Sequence, residues 1–89
     1  MEYEWDTAKA RSNLRKHGVA FADAVLAIED PRALTMADPD ASGEQRLVSL
    51  GLDSIGRVLV TVFAPRGARI RIISSRKASR SERQVYENQ

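Results

Sequence analysis

The sequence predicts an α+β fold: a small antiparallel sheet of four main strands in a meander, an N-terminal helical hairpin and a C-terminal helix. Three observations predict it. Residues 7–29 carry apolar positions at helical spacing between marked termini. From Ala33 onward the period becomes that of strands, joined by hairpin-length turns. Ser79, with Glu82 three residues later, then opens a last helix. Hairpin connections imply an antiparallel sheet with the helices on one face. At 89 residues the chain has room for one domain, spanning 1–89.

The elements follow in order. Tyr3-Glu4-Trp5 alternates and is aromatic, which suits a short edge strand. Asp6 is placed to cap a helix over Thr7–His17, its carboxylate accepting from the first free N–H groups. Trp5 before the cap and Ala10 after it have the spacing of a hydrophobic staple, which assigns Trp5 to the core. Ala10, Leu14 and His17 share one face. Gly18 supplies the left-handed residue that ends the helix, with Val19 folding back on Leu14. Phe21, Ala24, Val25 and Ile28 mark a second helix over residues 20–29, stopped by Asp30-Pro31. Residues 33–37 and 45–52 read as strands, and Asp53-Ser54-Ile55-Gly56 as a hairpin turn. Residues 57–64 are nearly all apolar and β-branched, as in a central strand, with Val58, Val60 and Val62 on one buried face. Pro65-Arg66-Gly67 turns the chain into a strand over 68–75. There Ile70 and Ile72 face one way and Arg69 and Arg71 the other. The last helix spans residues 80–87.

Composition excludes several chemistries. There is no cysteine, so no disulfide, no thiol nucleophile and no Cys-based zinc site. With a single histidine no multi-histidine metal centre is expected, and no cofactor is implied. No apolar run approaches the roughly 20 residues of a membrane span. The acidic start lacks the pattern of a signal peptide, so a cytoplasmic protein without a membrane partner is expected. Charge is unevenly spread. Residues 1–44 carry five Lys/Arg against nine Asp/Glu, and residues 45–89 nine against three. Between Arg66 and Arg83, six arginines and Lys77 face one acid, Glu82. Guanidinium forks match phosphate and keep their charge, so the pattern favours an anionic partner such as RNA or DNA. A solvated charged face is the plainer alternative.

An ordered set of residues resembles the BrnT family of bacterial toxins from type II toxin–antitoxin pairs. It runs Glu4-Trp5-Asp6, Asn13, Lys16-His17-Gly18-Val19, Phe21, Asp30-Pro31, Gly43-Glu44-Gln45-Arg46, Gly51 and Gly56-Arg57. It continues through Arg71-Ile72-Ile73-Ser74-Ser75-Arg76-Lys77-Ala78 to Glu82 and Tyr86. Ser75 departs from the family, which more often carries alanine there. The resemblance implies a RelE-like fold and a ribonuclease that halts translation and growth. It also implies a BrnA-like antitoxin of ribbon-helix-helix type, which binds DNA and, with the toxin, represses their shared promoter.

Metal-independent RNA cleavage needs a base for the 2′-OH, cations for the charge on phosphorus and an acid for the leaving 5′-oxygen. Histidine is the side chain that ordinarily titrates near neutrality, which singles out His17, though a cation there also suits a helix C-terminus. Glu44 is a second candidate base. Glu44 and Arg46 flank Gln45 and would form either a catalytic pair or a surface ion pair. Arg71 and Arg76 are expected to hold the scissile phosphate. Arg66, Arg69, Lys77 and Arg80 are candidate RNA-binding cations, and Tyr86 either stacks on a base or packs on the sheet. A non-catalytic module that binds nucleic acid or the antitoxin is the competing function.

Overall fold

A computed structural model describes residues 1–89. The elements are β1 (Glu2–Glu4), α1 (Thr7–His17), α2 (Phe21–Ile28), β2 (Leu34–Ala37), β3 (Leu47–Leu52), β4 (Val58–Arg66), β5 (Arg69–Lys77) and α3 (Arg80–Glu87). Helix ends follow the caps. Asp6 accepts from the N–H groups of Ala8 at 2.8 Å and Lys9 at 3.1 Å, which starts α1. Gly18 ends it at φ 70°, its N–H donating to the Leu14 carbonyl. At α3 the Ser79 hydroxyl accepts from the Glu82 N–H while Glu82 accepts from the Ser79 N–H, a complete capping box.

The sheet order is β1-β5-β4-β3-β2. Strands β2 to β5 form the expected antiparallel meander. The sheet is nevertheless mixed and has five strands, because β1 adds parallel to β5, with Tyr3 opposite Ile70. The turn between β4 and β5 also differs from expectation. The strands run to Arg66 and from Arg69, leaving Gly67-Ala68 as a two-residue loop. Gly67 takes φ 60° at the first central position, as a type II′ turn requires.

Helices α1 and α2 cover one face. At Gly51 of β3 an added Cβ would lie 1.9 Å from the Ala27 carbonyl oxygen, so α2 rests backbone to backbone on the sheet. Val19, Ala27 and Leu59 form one buried cluster, and Phe21, Ala24 and Ile72 another. The residue of α1 that faces the sheet is Asn13, buried against β5. Of the expected stripe of Ala10, Leu14 and His17, only Ala10 packs on the core, against the Phe21 cluster. Leu14 is turned aside and 51% exposed, and His17 is half-buried at the end of the helix. Trp5 is likewise not core: it is 37% exposed and meets Phe21 edge-on, with ring centroids 5.9 Å apart.

The opposite face explains two further differences. Alternation along β4 sends Leu59, Thr61 and Phe63 towards α1 and α2, and Val58, Val60 and Val62 away from them. Val58 and Val60 are buried as expected. Val60 and Val62, however, floor an open cavity rather than a second core. In β5, the Ser75 hydroxyl meets that of Thr61 on the side of α1 and α2, so alternation sends Arg76 to the cavity side. There it meets Glu82 of α3. The helices therefore do not all lie on one face. No helix is long and apolar enough to cross a membrane.

Candidate active site

The sheet face away from α1 and α2, which α3 covers only in part, holds a cavity of about 550 Å³. Val48, Val60 and Val62 give it an apolar floor. One wall is the loop Asp38-Pro39-Asp40 with Arg46, and the other is Ile73 to Arg76 with His17. The bulge in the β4–β5 ladder shapes that second wall. Val62 pairs with Ser74 and Phe63 with Ile72, so Ile73 is an extra residue in β5. A bulge bends its strand and redirects the side chains that follow.

Two arginines reach the cavity, each held by a carboxylate. Glu82 grips the end of the Arg76 guanidinium: Nη1 donates to Oε1 at 2.8 Å and Nη2 to Oε2 at 3.0 Å. Nη1 also donates to the Lys77 carbonyl at 3.3 Å. Of the five guanidinium donors three are thus engaged, and Nε–H and one Nη2–H stay free for an anion. The Arg76 hydrogen bonds, with the Ser79 N–H second, hold Glu82 down at about 2. The same contact raises Arg76. Arg46 lies 3.4 Å from Asp38 and donates to the Asp40 carbonyl. His17 ends α1, whose C-terminus is fixed by the Gly18 turn and by Asn13.

The family model for the ribonuclease toxin BrnT of type II toxin–antitoxin systems matches residues 5–82. The chain belongs to the BrnT family. It is also similar to a solved structure, the 1.1 Å crystal structure of the Brucella abortus ribonuclease toxin BrnT. The two are 28% identical with a TM-score of 0.68, over 90% of this chain and 99% of that one. No curated protein matches. A type II toxin family implies an antitoxin partner.

Of the residues singled out from the sequence, the cavity of this BrnT-family chain gathers His17, Arg46 and Arg76. It does not gather the others. Glu44 pairs with Arg66 at 3.3 Å, both half-exposed. Glu44 and Arg46 do not pair with each other, because β3 begins only at Leu47 and the loop sends them apart. Arg71 and Arg69 share Glu4 of β1, at 2.8 and 3.8 Å. Lys77 lies beside Arg57 and Arg83 at another pocket. Arg80 is exposed in the first turn of α3. Tyr86 is 5% exposed, bonded to Asp30 and covered by Arg32 at 5.7 Å, so it packs and offers no face to a base.

Several residues support the site through contacts that the sequence did not show. Asp53 is buried, and burial opposes its charge. The backbone N–H and guanidinium of Arg57 outweigh that and lower its pKa. Arg57 also reaches Asp23 and the Gly18 carbonyl, tying the β3–β4 hairpin to the end of α1. At Asp30 burial is again outweighed, first by the Tyr86 hydroxyl and then by the Leu52 N–H, so its carboxyl is lowered too. The local signals were present: Asp53-Ser54-Ile55-Gly56 marked a hairpin turn and Asp30-Pro31 a helix stop. Asp30-Pro31 and Gly56-Arg57 also stand among the residues that carry the family resemblance, but nothing local showed their distant partners.

Proposed function

We propose that this chain is a metal-independent endoribonuclease whose cleavage site is the cavity over the open sheet face. One observation carries the reading: the lone histidine and two carboxylate-held arginines converge on a single cavity. The groups match the chemistry. His17 takes the 2′-OH proton, O2′ attacks phosphorus, and the P–O5′ bond breaks. The products are a 2′,3′-cyclic phosphate and a 5′-hydroxyl, the leaving oxygen taking its proton from a protonated imidazole or from water. Arg76, through its free Nε edge, and Arg46 hold the charge that develops on the phosphate oxygens. Donors fixed in advance are worth most for such charge. Glu82 supplies that fixing for Arg76, and the Asp38–Asp40 loop supplies it for Arg46.

RNA cleavage of this kind would halt translation and growth. The partner on this reading is a cytoplasmic, DNA-binding antitoxin of ribbon-helix-helix type that covers the cavity and carries the toxin to promoter DNA. The test is incubation of purified protein with RNA in excess EDTA. Fragments ending in 2′,3′-cyclic phosphate are expected. Intact RNA in EDTA, with cleavage restored by a divalent cation, would overturn metal independence. Intact RNA under both conditions would favour a non-catalytic binding module.

A further inference from the structure

A second, smaller cavity of about 190 Å³ adjoins the first. The two share His17, Ile73 and Ser74. It lies between α1 and the outer edge of β5, which β1 leaves unpaired beyond Arg71. Lys9, Ser12 and Lys16 form its helical wall. With Asn13 they occupy positions i, i+3, i+4 and i+7, one stripe of a helix. Asn13 is bonded to Ser75 of β5, so the whole stripe is turned towards that strand. Lys9 and Lys16 stand about 10 Å apart along the axis. Neither takes part in any ion pair of the molecule, whereas both arginines of the large cavity do.

We propose that this groove is a flanking subsite for single-stranded RNA, in which Lys9 and Lys16 hold phosphates next to the one being cut. The proposal rests on the large cavity being the cleavage site. A strand leaving that cavity past His17 and Ser74 enters the groove directly. A lysine is a compact charge on a flexible stem, suited to phosphates whatever the base. The hydroxyls of Ser12 and Ser74 add donors at the same level. With about 190 Å³ and two lysines, the groove has room for a short backbone segment of one strand.

The test pairs two double variants with the parent. Lys9→Gln/Lys16→Gln removes two charges from the groove. Arg11→Gln/Arg15→Gln removes two charges from the other side of the same helix. Binding of an uncuttable 2′-O-methyl oligonucleotide is followed by fluorescence anisotropy across a salt series. Cleavage of the corresponding RNA gives KM and kcat. The lysine variant should bind several-fold more weakly, with the loss appearing in KM. Its plot of log affinity against log salt should be shallower by about 1.4, two contacts on a single strand. The arginine variant should follow the parent. Equal binding by parent and lysine variant overturns the subsite, and so do equal losses in the two variants; cleavage by the parent would still stand in either case. A parent that neither binds nor cuts overturns the cleavage site itself, and the subsite with it.

Discussion

Asn13 does with one side chain what a further strand would do along the open edge of β5. Its amide nitrogen donates to the Ser75 carbonyl at 2.8 Å and the Val19 carbonyl at 3.0 Å, and its oxygen accepts from the Ser75 N–H at 3.0 Å. One residue thus satisfies three buried backbone groups and fixes the end of α1, where His17 sits. Asn13→Ala would leave those groups unpaired in the interior and should cost about 3 kcal/mol, read from urea unfolding. A loss below about 1 kcal/mol would mean that water replaces the amide. This role was not legible in the chain. An asparagine within a helix reads as solvent-facing, and its main partner is 62 residues away. The neighbouring Ser75 shows the same dependence on distant partners. Its hydroxyl lies 2.9 Å from that of Thr61, so a polar residue is accommodated where the family more often has alanine.

At the scale of elements, what was legible is what is local. Asp6, Gly18 and the Ser79–Glu82 box mark the ends of α1 and the start of α3 because a cap acts on its own first or last turn. The contact of α2 with β3 was hidden, since nothing near Gly51 announces a helix backbone lying on it. Gly51→Ala must push α2 from the sheet. Destabilisation of about 3 kcal/mol, at the upper end for overpacking, is expected in thermal or urea melts. Unchanged stability would place α2 farther from β3. Glu82 belongs to this scale too, since it joins α3 to β5. Its folded pKa of about 2 lies below the ordinary 4.5, through Arg76 first and the Ser79 N–H second. The unfolded chain therefore binds this proton more readily. The stabilisation is complete above about pH 4.5 and is lost as pH falls through about 2. Glu82→Gln should accordingly lower Tm at pH 7, and the gap to the parent should close between pH 4.5 and 2. A gap independent of pH would mean that the carboxylate charge contributes nothing.

Across the whole molecule, the meander and its basic second half could be read from period and composition, but the two groups of arginines could not be told apart. Arg71 and Arg76 lie on one strand five residues apart, and sequence proximity grouped them. The parallel β1 strand separates them. It brings Glu4 beside Arg71, while the Ile73 bulge and α3 turn Arg76 into the cavity with His17. The alternation at Tyr3-Glu4-Trp5 marked a short edge strand, one residue later than β1, but its parallel partner lies near the other end of the chain, so no local pattern reveals the pairing. The cavity is thus a product of topology, assembled from the end of α1, the loop before β3 and the far half of β5.

The most direct measurement of the cavity's role compares RNA cleavage by Arg76→Ala and Arg71→Ala, each first shown to be folded by circular dichroism. Losing one preorganised donor to transition-state charge costs about 100–1,000-fold in rate. Arg76→Ala should lose that much in kcat. Arg71→Ala, which gives up only a contact with Glu4 outside the cavity, should stay within a few-fold of the parent. A parental rate for Arg76→Ala, or a larger loss for Arg71→Ala, would contradict cleavage in this cavity.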